Sequence, residues 1–110
     1  MKAAFARSWD EVAKQVHKNA VDKGFWDNPR NDGEAIALIH SELSEALEAL
    51  RSNNAPDRHL RDFAGVEVEL ADAVIRIMDI SEGRGWRVVE AILAKIDYNK
   101  GRDRLHGRQF

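Results

Sequence analysis

Apolar residues recur at helical spacing along most of the chain, and the pattern predicts four helices with short polar connections. Ser8 is the expected N-cap of the first, with Glu11 three residues on to complete a capping box. Trp9, Val12, Ala13, Val16 and Ala20 then form its stripe, and Gly24 stops it. His17 lies beside that stripe, where histidine is usually a boundary residue. Phe25-Trp26-Asp27-Asn28-Pro29-Arg30-Asn31-Asp32 is a loop, punctuated by Pro29, whose Asn31 or Asp32 can cap the next helix. Its adjacent aromatics, Phe25 and Trp26, either cover the core edge or stack on a flat ligand such as a nucleobase.

The second helix is expected from about Gly33 to Arg51, with Ile36, Ile39, Leu43, Ala46, Leu47 and Leu50 as its apolar stripe. Ser52 to Asp62 is a polar connection, with room for a helical turn after Pro56. The third helix, about Phe63 to Arg84, carries two apolar faces. Val66, Leu70, Ala73, Val74, Ile77 and Ile80 form one; Val68, Ala71, Ile75 and Met78 form the other. Glu69, Asp72, Arg76 and Asp79 lie between them. A helix apolar on most sides must be buried on most sides. So short a chain has few helices to do this, and the second face is expected to meet another subunit. Gly83 and Gly85 bracket the end of this helix. Trp86 opens the fourth, whose apolar side is Val88, Val89, Ile92, Leu93 and Ile96. From about Lys100 the chain is a basic tail. The whole reads as one all-α domain over residues 1–110, bundle-like, with a central helix hairpin and an oligomeric assembly.

Two stretches within these helices read almost alike: Glu42-Leu43-Ser44-Glu45-Ala46-Leu47 and Glu69-Leu70-Ala71-Asp72-Ala73-Val74. Residues three apart share a helix side, so each stretch offers two carboxylates beside an apolar stripe. Both pairs lie about two turns from the connecting loop, and an antiparallel hairpin brings them to similar height. Four converging carboxylates suit a hard divalent cation. Salt bridges, such as Arg76 with Asp72 or Asp79, account for the same spacing, and spacing alone does not choose.

Composition narrows the function classes. A net charge of −2 gives no global basic field for nucleic acid. The absence of cysteine excludes disulfides and thiolate-bound zinc. No apolar run is long enough to span a bilayer, and the first residues lack the apolar core of a signal peptide. The cytoplasm is the expected location.

At the acidic stretches the chain resembles the MazG-like all-α nucleoside triphosphate pyrophosphohydrolases. That family's motif is Glu-x-x-Glu, a spacer, then Glu-x-x-Asp on the following helix, here Glu42-x-x-Glu45 and Glu69-x-x-Asp72. The likeness extends to Pro29-Arg30-Asn31 and to Lys95-x-x-x-Asn99-x-x-Arg102, and covers roughly residues 24–107. Many members carry a double Glu at the start of the first motif, where this chain has Ser41 before Glu42. The resemblance implies a helical bundle assembling as a homodimer or homotetramer, with Mg²⁺ held by Glu42, Glu45, Glu69 and Asp72. It implies hydrolysis of a (deoxy)nucleoside triphosphate to the monophosphate and pyrophosphate, in the manner of nucleotide-pool house-cleaning. One carboxylate would act as base for a water attacking the α-phosphorus in line. Lys95, Lys100 and Arg102 are the expected partners of the substrate's charge, ahead of Arg76. Asn99 is expected to bond phosphate or sugar, and Phe25 and Trp26 to stack on the base. Two alternatives remain: a non-catalytic helical interaction module, and a Mg²⁺-dependent phosphohydrolase acting on a non-nucleotide substrate.

Overall fold

The computed structural model describes residues 2–110, which form four α-helices: α1 (Lys2–Asp22), α2 (Asp32–Arg51), α3 (Gly65–Arg84) and α4 (Val88–Lys100). A short 3₁₀ segment, Arg104–Gly107, follows. The fold is all-α and bundle-like, as the periodicity predicts. α2 and α3 make an antiparallel hairpin, with Glu42 opposite Arg76 and Asn54 opposite Val66. α1 packs along the other side of α3, so α3 is the central element. α4 turns back onto α1, where Lys2 and Asp97 pair. No helix among the described residues is long and apolar enough to cross a membrane.

The helix ends follow local chemistry. Asn31 accepts a hydrogen bond from Glu34 N at 2.9 Å and caps α2. Asp32 instead accepts from Arg84 Nε at 2.8 Å, tying the start of α2 to the end of α3. Ser8 lies inside α1, so the expected capping box with Glu11 does not form. Helical hydrogen bonding over Lys2–Arg7 continues the same run, and Phe5 adds a tilted contact with Trp9 at 6.0 Å. The polar connection holds no helical turn after Pro56. Asp57 instead accepts from the main-chain N–H groups of His59 and Leu60, both at 2.9 Å. Pro56 and Ala64 face each other as an isolated antiparallel bridge. Asn53 and Asn54 take the left-handed conformation (φ 68° and 49°) that asparagine tolerates. That turn aims Asn54 Oδ1 at the N–H of Val66, 2.9 Å away, and so serves one free donor of the first turn of α3. At the far end Gly85, with φ of 70°, ends α3 as the left-handed C-cap.

The helices meet through small residues. Ala13, Ala35, Ala46 and Ala73 are buried, with Met78, Ile80 and Val89. On α2 the inward face is Ala35, Glu42 and Ala46, about 90° round from much of the expected stripe. Ile36, Leu43, Leu47 and Leu50 are exposed, Leu47 by 59%. Alanines win the inward face because they allow α2 and α3 to approach closely. On α3 the second apolar face divides: Met78 is buried within the chain, while Ile75 stays open. Leu70 and Val74, from the first face, are also open. The radius of gyration is 16.3 Å, against about 13 Å for a compact domain of this length.

Asp79 is the polar centre of this packing. It is only 7% exposed and accepts from three sources. His17 Nδ1 of α1 lies 2.9 Å from Oδ1, Trp26 Nε1 of the loop donates to the same oxygen at 2.9 Å, and Arg30 Nη1 donates to Oδ2 at 3.0 Å. The Trp26 ring meets His17 edge-on at 4.9 Å and has the Arg30 guanidinium 4.6 Å from its centroid. It also lies against Gly83, where a Cβ would come within 2.5 Å of the indole, so no larger residue fits there without moving the ring. Removing one partner of a buried ion pair costs about 3–5 kcal/mol, and at this size each kcal/mol moves the melting temperature by about 4–8 °C. Asp79→Ala is therefore expected to melt more than about 10 °C below wild type. Asp79→Asn, which keeps an acceptor for Trp26, should lose less. A thermal melt of Asp79→Ala that overlays wild type would refute this role.

Candidate metal centre

The α2–α3 hairpin brings the two acidic stretches together. Carboxylate oxygens of Glu42, Glu69 and Asp72 all lie within 4.8 Å of one another. Glu45 adjoins them, close enough to share hydrogen bonds with Glu42 and Glu69 when one carboxyl of a pair is protonated. Glu42 is on the inward face of α2 and only 8% exposed. It is held by Arg76, whose Nε donates to Oε1 at 2.9 Å. Arg76 thus pairs with Glu42 on the opposite helix rather than with Asp72 or Asp79, the partners that spacing on one helix suggests.

Each carboxyl answers its surroundings differently. Burial, then hydrogen bonds with Glu45 and Glu42, then repulsion from Glu45 and Asp72 push Glu69 up to about 7. Burial and the charge of Glu42 also raise Asp72, against the pull of Arg76. Burial alone would raise Glu42, but the Arg76 bond and bonds with Glu45 and Glu69 outweigh it and hold Glu42 below the ordinary carboxylate range. Glu69 Oε2 is buried without a hydrogen-bond partner. Crowded acids, one with an orphaned oxygen, are the donor set that a hard cation satisfies, since oxygen ligands and negative charge are what it selects.

Glu42 and Asp72 open onto a cavity of about 550 Å³ between α1 and α3. Arg30, Arg76 and Asp79 lie along it, and Val16, Ala20 and Ile75 give it apolar wall. The two loop aromatics part company. Trp26 is turned to the core edge, whereas Phe25 is 63% exposed and lines the cavity. Gln15, Asn19 and Arg30, which helical periodicity alone does not single out as ligand-facing, are in the same wall.

The expected cations of the fourth helix are elsewhere in the chain. Lys95 and Asn99 share a shallow groove with Val88, Ile92 and Ile96 on α4. Lys95 Nζ stands 4.6 Å from the centre of the Tyr98 ring, and the Arg102 guanidinium 5.5 Å. Lys100 is 3.7 Å from Asp97. None of the four lines the cavity into which Glu42 and Asp72 open. Asn99 Oδ1 is buried and unpartnered. Compared with known proteins, the chain matches no protein-family model, no curated protein and no solved structure.

The raised Glu69 carboxyl sets a pH dependence. An acid whose folded pKa is above its unfolded value favours folding while protonated, and that advantage is lost as pH rises through the folded value. Without metal, stability should fall between 4.5, the ordinary value, and about 7. Glu42, shifted the other way, acts only below that window. A divalent cation that bound only the ionised site of the folded state would reverse the loss, by about 2.7 kcal/mol at a hundred times its dissociation constant. Wild type in chelator is thus expected to melt lower at pH 8 than at pH 6, with the Mg²⁺-induced rise larger at pH 8. Asp72→Asn should melt at or above wild type in chelator and gain little from Mg²⁺. Melts of both proteins with and without Mg²⁺ at both pH values test this. Equal Mg²⁺ gains in the two proteins would mean that Asp72 is no ligand.

Proposed function

We propose that the chain is a Mg²⁺-dependent nucleoside triphosphate pyrophosphohydrolase of the MazG-like all-α kind. The observation that carries this reading is the meeting of Glu42, Glu69 and Asp72 within 4.8 Å, beside a ligand-sized cavity. Glu42, Glu69 and Asp72 would hold the metal. Bound there, it supplies charge neutralisation and polarises phosphoryl oxygens. Glu45, next to the three and outside their close cluster, accepts the proton of the attacking water. Arg76 fixes Glu42 through Nε; it also lines the cavity, where its remaining guanidinium nitrogens would offset phosphate charge. Arg30, anchored by Asp79 through Nη1, offers a second guanidinium in the same wall.

The assembly belongs to this reading. Leu43, Leu47 and Leu50 on α2 and Leu70 and Val74 on α3 are all open to solvent. Large apolar exposure on a small protein marks an interaction surface. The expanded radius of gyration fits a protomer whose hairpin is covered by a second copy. In this reading Lys95, Asn99 and Arg102 would serve the site of a neighbouring copy, since within the chain they do not line the cavity beside the acids.

The reaction is tested by scoring a panel of nucleoside triphosphates for pyrophosphate against orthophosphate. Mg²⁺-dependent pyrophosphate release is expected from at least one. Glu42→Gln or Asp72→Asn should lower turnover by orders of magnitude, since a lost ligand misplaces metal and water together. Near-wild-type turnover in either variant would sink the assignment. For the assembly, light scattering at micromolar concentration should give at least twice the chain mass of 12.5 kDa. Leu47→Glu should reduce it. A wild-type mass of one chain would remove the assembly from the proposal.

A further inference from the structure

The cavity beside the acids also has lining residues that the phosphate chemistry does not use. Gln15 and Asn19 are four apart on α1 and so lie on one side of it. Both line the cavity, with Phe25 beside them and Val16, Ala20 and Ile75 as apolar wall. The Asn19 main chain belongs to α1, its carbonyl accepting from Lys23 N at 3.0 Å, and its exposed side-chain amide lies in the cavity wall. A molecule that fits all of this has an anionic end for Arg76 and the metal, a flat apolar body, and an edge of hydrogen-bonding groups. A cavity of about 550 Å³ is the size of a small-molecule site.

We propose that Asn19 reads the edge of the substrate's nucleobase, with Phe25 stacked on the base. This rests on the pyrophosphohydrolase reading for the rest of the substrate, but the subsite is defined by its own residues. An asparagine amide presents one acceptor and two donors from adjacent atoms. It pairs with an edge that offers a donor beside an acceptor, as adenine does. A carboxylate at the same place presents acceptors only, and pairs best with guanine, whose N1–H and N2–H are two adjacent donors. Asn19 is on an exposed helix face, so its replacement by the near-isosteric aspartate leaves the fold in place. The added charge repels every triphosphate alike and cancels in a ratio between bases.

The test is the guanine-to-adenine ratio of kcat/KM, measured within each protein for wild type, Asn19→Asp and Asn19→Ala. Asn19→Asp is expected to raise that ratio by about five- to a hundredfold, the discrimination of one bidentate contact. Asn19→Ala should narrow the differences among bases. In parallel, adenosine and guanosine are titrated into the metal-free proteins and followed by amide chemical shifts. These neutral probes need no turnover. The same ratio in Asn19→Asp and wild type, in both turnover and titration, overturns the proposal and leaves the pyrophosphohydrolase reading standing. If no triphosphate is turned over but nucleoside preference switches with Asn19→Asp, the subsite holds and the catalytic reading falls. Absence of nucleoside binding together with an unchanged base profile overturns the subsite.

Discussion

The fold depends on one buried carboxylate. Asp79 sits in the C-terminal part of α3 and draws a nitrogen each from His17, Trp26 and Arg30. It thereby fastens α1 and the loop before α2 to α3. The apolar packing cannot do this alone, because the buried apolar set is mostly alanine, with no large side chain fully enclosed. Alanine interfaces gain little from area but let helices approach closely. Orientation then has to come from directional bonds, and a charge buried in a thin core is held only if its partners are all in place.

That arrangement explains why the helices were readable and the core was less so. Apolar spacing alone delimits α2 and α3 to within two residues, because caps and stripes are local signals. Asn31 and Gly85 mark ends by chemistry that each residue carries with it. The inward face of α2 is a different matter. Leu43 and Leu47 are the more hydrophobic choice, yet Ala35, Glu42 and Ala46 are buried. Periodicity shows that a face is apolar without showing which apolar face the same chain covers. The Asp79 cluster was invisible for a related reason. Its members lie up to 62 residues apart, and each looks like a boundary or surface residue taken singly.

The acidic site shows the same division. The paired spacing of Glu42 and Glu45 with Glu69 and Asp72 foretells their convergence, because an antiparallel hairpin turns equal distance from the loop into equal height. Arg76 was a weaker candidate than the basic residues after α3, since a cation among acids on its own helix reads as a local salt bridge. Only the cross-helix distance to Glu42 gives it a different partner. Lys95, Asn99 and Arg102 have a spacing that puts them on one side of α4, but spacing does not say against which helix that side lies. Within the chain α4 leans on α1.

Two neighbouring clusters of α3 therefore stand in opposite electrostatic states. Around Asp79 one carboxylate is over-supplied with donors. Two turns earlier, Glu69 and Asp72 meet Glu42 and Glu45, where, among the described residues, Arg76 alone brings a side-chain nitrogen within hydrogen-bonding distance of one of them, Glu42. The first cluster stabilises the packing that forces the second together. A site of mutually repelling acids cannot hold its own shape, because side chains free to rotate would separate. Here the backbone positions of Glu69 and Asp72 are set by a helix pinned two turns away, and Glu42 is set by its bond to Arg76. The strain left in Glu69, with one oxygen buried and unpartnered, is the free energy that a cation would recover on binding. A rigid, donor-rich centre placed beside an unsatisfied, acceptor-rich one is a means of keeping a charge-dense site assembled, as the proposed cation binding would require.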